Sequence, residues 1–255
     1  MTDAAQRHLG ARWMIKADIH NYFPSIDERS VFKFFMRAGY APLLAFELAR
    51  LCTWPPTGAI AAEPVSEPKM PYTSRGSGVL PQGAPTSGAL SNLVTRPLDD
   101  AIANWALSEE LVYSRYSDDV ILSTTKPFDR KLAAKHARDL SGLMRASGFE
   151  IHDKKTRVIS PGARKVVLGM LLGENSLRIL PEQRRMMDLY IHAVRRYSVT
   201  NYAKRRKFDS PISFINHVNG HLAHMKQIEP EWAASRTAAW VEVLEDSGIF
   251  PDAMR

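Results

Sequence analysis

The chain has 255 residues, 45% of them hydrophobic, enough for one sizeable core or two modest subdomains. Its net charge of +7 and pI near 9.5 suit a polyanionic partner or a solvated basic surface. Cys52 is its one cysteine, which excludes an intrachain disulfide and fits a reducing cytoplasm; no apolar run approaches the roughly 20 residues of a membrane span, and Thr2-Asp3-Ala4-Ala5-Gln6 does not resemble a signal peptide.

Trp13-Met14-Ile15-Lys16-Ala17-Asp18-Ile19 reads as a mostly apolar strand ending in one acid, followed by Asn21-Tyr22-Phe23-Pro24-Ser25-Ile26. A carboxylate at the end of a buried strand loses solvation unless it is paired or bound to a cation. Residues 27–52, with Val31, Phe34, Phe35, Leu43, Leu44, Phe46 and Leu48, read as helical segments broken around Gly39 and Pro42. Residues 53–77 are rich in Pro, Gly and Ser and read as a loop or insertion. From Gly78 through Leu80-Pro81-Gln82-Gly83-Ala84-Pro85 a punctuated loop enters a helix, with Thr86 or Ser87 as N-cap. Gly83 and such a helix start permit close approach of phosphate, sugar or base, although a plain capped helix after a tight loop is the other reading. One helix is expected over residues 90–107, with Leu90, Leu93, Val94, Leu98, Ile102 and Trp105 on one face.

Leu111-Val112-Tyr113-Ser114-Arg115 and Val120-Ile121-Leu122-Ser123 flank Tyr116-Ser117-Asp118-Asp119, so a β-hairpin is expected with two adjacent carboxylates at its tip. Ser and Asp are ordinary turn residues, and a plain polar turn is one reading. The other is electrostatic: neighbouring carboxylates repel, and the repulsion raises one pKa unless a cation resolves it. Asp18, about a hundred residues upstream in a similar setting, completes an oxygen-ligand set suited to Mg²⁺ and to two-metal phosphoryl transfer.

Residues 131–147 are expected as a helix closed by Gly148, and Val166-Val167-Leu168-Gly169-Met170-Leu171 as a strand pair in which Gly169 marks close backbone approach or only a bulge. Lys154, Lys155, Arg157, Arg164 and Lys165 precede it. Beyond Gly173 the chain turns helical and basic: Arg184, Arg185, Arg195, Arg196, Lys204, Arg205, Arg206 and Lys207 are interleaved with Tyr190, Tyr197, Tyr202 and Phe208. That mixture suits phosphate contacts beside aromatic surfaces, or a solvated helix face over core aromatics. Ile212, Phe214, Ile215, Val218, Leu222 and Met225 form an amphipathic helix that tolerates Gly220, with residues 233–244 packed on it.

The order Asp-Ile-x-x-Tyr-Phe-Pro-Ser-Ile from Asp18, Leu-Pro-Gln-Gly-Ala-Pro-Thr-Ser from Leu80, Tyr-x-Asp-Asp from Tyr116, then Lys155-Thr156 and Leu168-Gly169, resembles the palm of bacterial reverse transcriptases. The wording is nearest to the retron and defence-associated group and further from group II intron enzymes. The resemblance covers residues 13–173 and continues weakly beyond. It implies an α+β fold: a right-hand polymerase palm, an antiparallel sheet with helices on one face, over residues 1–175 with partial fingers remnants. A helical, basic, thumb-like region over residues 176–255 follows.

The activity so implied is RNA-directed DNA polymerase. Asp18, Asp118, Asp119 and the backbone carbonyl of Ile19 would hold two Mg²⁺ ions, with Mn²⁺ as substitute. Lys155 would neutralise or protonate the pyrophosphate leaving group. Phe23 would exclude the sugar 2′-hydroxyl, and Gln82 and Gly83 would line the incoming nucleotide. Tyr116, Leu168, Gly169, Arg195, Arg196, Lys204 and Arg205 would contact primer and template. Taken residue by residue, Phe23 reads equally as a core aromatic and Lys155 as a solvated charge. A template-independent nucleotidyltransferase and a non-catalytic RNA-binding module are the rival readings of the whole. Implied partners are an RNA template, a DNA or RNA primer, dNTPs, and further a noncoding RNA and an effector protein, in the cytoplasm and without a membrane.

The chain departs from the family in Gly88 where Pro is usual, Leu168 where retron enzymes carry Thr, and His152 where Asn is common. It also has no Asn-Ala-x-x-His element before Asp18. Seventeen residues precede Asp18, too few for fingers, so the expectation is a truncated or mis-started chain, with fingers from a separate polypeptide or a palm that no longer copies templates processively as the other readings.

Overall fold

The computed structural model describes residues 2–55, 77–127, 129–152 and 155–249. Most of the expected loop at 53–77, and Lys154, lie outside the described residues. The elements run α1 (Thr2–Gln6), β1 (Trp13–Asp18), α2 (Glu28–Arg37), α3 (Pro42–Cys52), α4 (Ser87–Val94), α5 (Arg96–Ser108), β2 (Val112–Tyr116), β3 (Asp119–Thr124), α6 (Arg130–Ala146) and β4 (Arg157–Ile159). Then follow β5 (Val166–Val167), β6 (Met170–Leu172), β7 (Leu177–Ile179), α7 (Pro181–Tyr197), α8 (Val199–Arg205), α9 (Pro211–Lys226) and α10 (Pro230–Asp246). The fold class is α+β, in two compact units: Arg12–Ala163, and Met1–Ala11 with Arg164–Arg255.

In the first unit β2, β3, β1 and β4 form an antiparallel sheet in that order. Alternation along a strand sends successive side chains to opposite faces. Ile15 and Ala17 of β1 and Val120 and Leu122 of β3 therefore share one face, where they join Leu98, Ile102 and Ala106 of α5 and Leu140 and Met144 of α6 in one core. Lys16, Asp18 and Asp119 point to the opposite face. Helix ends follow the local signals: Asp27 caps α2 through Ser30 N at 2.8 Å, Gly39 turns the chain at φ 92° before Pro42 opens α3, and Asp129 caps α6.

The single helix expected over residues 90–107 is two. Pro97 in the first turn of α5 lacks an N–H and is sterically incompatible with an unbroken helix through Val94. Thr95 sits at the break and donates its hydroxyl to Ser91 O at 2.7 Å. Leu93, expected on the buried face, is 42% exposed, while Leu90, Leu98 and Ile102 are buried. Thr86 is the N-cap of α4 by backbone alone; Ser87 instead donates to Pro81 O at 2.7 Å, tying the loop to the helix start.

The second unit holds the antiparallel sheet β5-β6-β7, with α1 against it, and helices α7 to α10. Leu168 and Gly169 are the two-residue turn between β5 and β6, at φ 49° and 77°, with Val167 facing Met170. Positive φ at both positions matches the right-handed twist of the flanking strands, so Gly169 is a turn residue rather than a bulge. This hairpin, read from sequence with residues 1–175, lies in the unit that carries the C-terminal helices. Pro181, Pro211 and Pro230 open three of those helices, and Ser210 and Ser213 cap α9 reciprocally. Phe214 is fully buried, and the rings of Tyr190, Tyr202, Phe208 and Trp240 meet it edge-on at centroid distances of 5.1 to 6.0 Å. Tyr190 and Tyr202 are thus core, Phe208 is half-buried, and Tyr197 is 43% exposed. Among the described residues no helix is long and apolar enough to cross a membrane.

Candidate active site

Strand register brings the first two acids together. Asp18 ends β1 and Asp119 begins β3 as its direct partner, and directly opposed residues share a face of the sheet. Asp118 lies with Ser117 in the turn between β2 and β3, and Ser117 takes a φ of 55°. Ile19 N donates to Asp118 O at 3.0 Å, and His152 N donates to Asp18 O at 2.9 Å, so both flanking segments are pinned beside the turn.

Burial pushes Asp119 above the ordinary carboxylate range; Lys16 and Lys155 oppose the shift, while Asp118 and Asp18 add to it. The two acids thus act on Asp119 as like charges in a partly desolvated site. Lys155 Nζ lies 3.1 Å from each oxygen of Asp18. With Lys155 57% exposed, this is a weak, solvent-screened pair that a competing cation can displace.

Among the described residues no three His, Cys, Asp or Glu side chains stand close enough to hold an ion as they are. Asp18 is turned to Lys155, whose ammonium supplies the positive charge. The chemistry nevertheless fits a hard divalent cation: the ligands are oxygens, and their mutual repulsion is already felt at Asp119.

Tyr116 shares the acid face, opposite Asp119 in the hairpin register, and is 46% exposed. Phe23 is half-buried against the core, its ring 5.3 Å from that of Tyr22. Gln82 and Gly83 are exposed, Gly83 at φ 91°. Their loop is tied to the Phe23 segment by Leu80 N to Ile26 O at 3.0 Å and by the bridge of Val79 to Asp27.

A buried hub beneath the turn escapes sequence reasoning. Arg115 lies on the core-facing side of β2 and makes hydrogen bonds to Asp99, Thr95, Asn92, Tyr22 and Ser117 O. Tyr113 donates to Asp99 Oδ1 at 2.6 Å, and burial together with that carboxylate pushes its phenol up. The signal was present: Tyr113 and Arg115 oppose Leu122 and Val120, which makes Arg115 a charge at a core-facing position.

The basic C-terminal residues separate. Arg195 pairs with Glu242 of α10 at 3.2 Å. Arg196 and Arg205 lie 5.4 and 5.9 Å from the Tyr197 ring and line one cleft with it, joined by Arg206 of the same basic stretch and by His192, which sequence reasoning did not select. Lys204 is exposed on α8 and is not among the residues lining that cleft.

The family described as "Reverse transcriptase (RNA-dependent DNA polymerase)" matches residues 2–199. The retron Ec86 reverse transcriptase of Escherichia coli is 27% identical over 241 residues, 94% of this chain and 63% of that protein. The retron Mx65 reverse transcriptase of Myxococcus xanthus is 30% identical over 233 residues, 90% of this chain and 49% of that protein. The chain thus spans about half to two thirds of the length of these relatives. Telomerase from Candida albicans in complex with a fragment of telomeric RNA aligns over 97% of this chain and 48% of that one, at a TM-score of 0.46 and 9% identity.

Proposed function

The chain belongs to the reverse transcriptase family, and from that premise we propose that it is an RNA-directed DNA polymerase, a nucleotidyltransferase that extends a primer 3′-hydroxyl with dNTPs and releases pyrophosphate. The observation that carries this reading is the pairing of Asp18 with Asp119 on the sheet face away from the α5 and α6 core, with Asp118 in the adjoining turn. Two Mg²⁺ ions, or Mn²⁺ in their place, held by Asp18, Asp118, Asp119 and the Ile19 carbonyl, would supply the Lewis-acid charge for in-line phosphoryl transfer. Lys155, once freed from Asp18, meets the pyrophosphate with its ammonium. Phe23 presents its ring to the sugar and excludes a 2′-hydroxyl. Gln82 and Gly83 line the nascent base pair, and Tyr116 abuts the primer end.

In the second unit the Leu168-Gly169 turn, with Gly169 exposed and Leu168 half-buried, offers its backbone to the primer strand. Arg196 and Arg205, with Lys204 and Arg195 beside them, follow its phosphates. The likeness to retron enzymes supports a retron-like or anti-phage role in the cytoplasm. A noncoding RNA would serve as template, an effector protein would act downstream, and a further segment or chain would supply fingers.

Primer extension on a primed RNA template with Mg²⁺ or Mn²⁺ tests the reading, with and without a fingers-bearing polypeptide. The expected result is sequenced product that copies the template and is lost in Asp118→Ala. No incorporation under either condition refutes it. Random or homopolymeric product favours template-independent transfer instead. RNA binding without incorporation, together with a biological effect that survives Asp118→Ala, favours a non-catalytic module.

A further inference from the structure

Arg115 has a side chain only 5% exposed. A guanidinium so placed persists only where its donors are met, and here every nitrogen has a partner. Nε and Nη2 clasp Asp99 Oδ1 and Oδ2 at 2.7 Å each, and Nη2 also reaches Thr95 Oγ1 at 2.9 Å. Nη1 donates to the Tyr22 hydroxyl at 2.6 Å, to Ser117 O at 2.8 Å and to Asn92 Oδ1 at 3.1 Å. One side chain thereby joins the Phe23 segment, α4, α5 and the acidic turn.

Two consecutive carbonyls of that turn are held from different sides: Ser117 O by Arg115 and Asp118 O by Ile19 N at 3.0 Å. The peptide planes on both sides of the Asp118 Cα are therefore fixed, and with them the direction in which its carboxylate leaves the backbone. Ser117 at φ 55° is in a conformation that a serine keeps only with support from its surroundings, and Nη1 supplies it. Lysine cannot take this place, because a single ammonium cannot span a bidentate carboxylate and a carbonyl on the far side at once.

We propose that Arg115 is the positioning residue that aims the Asp118 carboxylate and, through Tyr22, couples that aim to the neighbouring Phe23, so that acid placement and sugar selection change together. The catalytic consequence rests on the polymerase reading; the local one does not.

Hydrogen–deuterium exchange of the full chain reads the local claim in wild type, Arg115→Lys and Tyr22→Phe. In Arg115→Lys the amides of Ser117, Asp118, Asp119 and Ile19 are expected to exchange about tenfold faster or more, with α9 and α10 unchanged. Tyr22→Phe, which removes one hydroxyl and leaves the Asp99 clasp, is expected to give a smaller rise at the same amides. It carries the test if Arg115→Lys does not fold. Primer extension should then show kcat reduced roughly tenfold in Arg115→Lys with KM within about threefold, and weaker discrimination against ribonucleotides in both variants. Exchange unchanged at the turn, or raised evenly through the whole unit, overturns the proposal. A wild-type chain that incorporates nothing defeats the polymerase reading, while the exchange result still decides the role of Arg115.

Discussion

Gly78→Ala should destabilise the first unit through a defined clash. Glu28, 8% exposed, accepts from Arg50 Nη1 at 2.9 Å, Gly78 N at 3.1 Å and Thr53 Oγ1 at 3.4 Å, and its own N–H donates to Gly78 O at 2.8 Å. A Cβ on residue 78 would stand 2.6 Å from Thr53 Oγ1, 2.9 Å from Thr53 Cβ and 3.2 Å from Glu28 Oε2. The backbone must retreat, which loosens the bond to Glu28. Overpacking of this kind costs about 1–3 kcal/mol, and the weakened charge-assisted hydrogen bond puts the expectation at roughly 2 kcal/mol. For a unit of this size that corresponds to a fall in Tm of about 4–8 °C. Urea unfolding and thermal melting of Gly78→Ala, Thr53→Ala and the double variant measure it. The double variant should be destabilised by roughly 1 kcal/mol less than the sum, because Thr53→Ala removes the nearest clashing atom. A Gly78→Ala chain within about 0.5 kcal/mol of wild type, the range of an ordinary surface change, would refute the reasoning.

Asp119→Asn should raise the Tm of the metal-free chain at pH 7 while abolishing incorporation. The folded carboxyl titrates above its ordinary 3.8, so its burden on stability is absent below that value, grows as pH rises through the folded pKa, and is constant beyond it. Melting curves across this range in chelator check the sign, and a less stable Asp119→Asn at neutral pH would contradict it. Arg196→Gln and Arg205→Gln should each weaken binding of an RNA/DNA duplex and lower the salt slope by about 1. Arg195→Gln should do less, because Glu242 already holds that side chain; salt titrations of binding separate the three. Leu168→Asn should stabilise the second unit by roughly 1 kcal/mol, since asparagine accepts the positive φ that leucine keeps at a cost. Urea unfolding measures it, and a destabilised variant would show that the leucine side chain packs too well to be replaced.

Helix caps, turns and the acidic hairpin are legible in the chain because each depends on a few neighbouring residues. Gly39 and Gly148 end helices, and the apolar runs around Tyr116-Ser117-Asp118-Asp119 close a two-residue turn. The break at Thr95 was equally local, and Pro97 announced it. The polar or aromatic residues whose role depends on what lies across the fold are not legible in the same way. Tyr190 and Tyr202 have the composition of a nucleic-acid surface and the burial of a core. Arg195 and Arg196 are neighbours in the chain, yet one is tied to α10 and the other lines the cleft beside Tyr197.

By itself the sequence determined where β1, the acidic hairpin and the β5–β6 hairpin lie, since backbone preferences and side-chain alternation act over a few residues; β4 and β7, three residues each, are too short to carry such a pattern. The family follows too, because its motifs are short, ordered runs of that kind. Only the tertiary structure decided that Asp18 faces Asp119, that Lys155 pairs with Asp18, and that Arg115 ties the Tyr22 segment, α4, α5 and the turn together. These contacts join residues up to 137 positions apart. Their partners are chosen by strand register and by the need to satisfy every buried charge, conditions that no local stretch of chain contains.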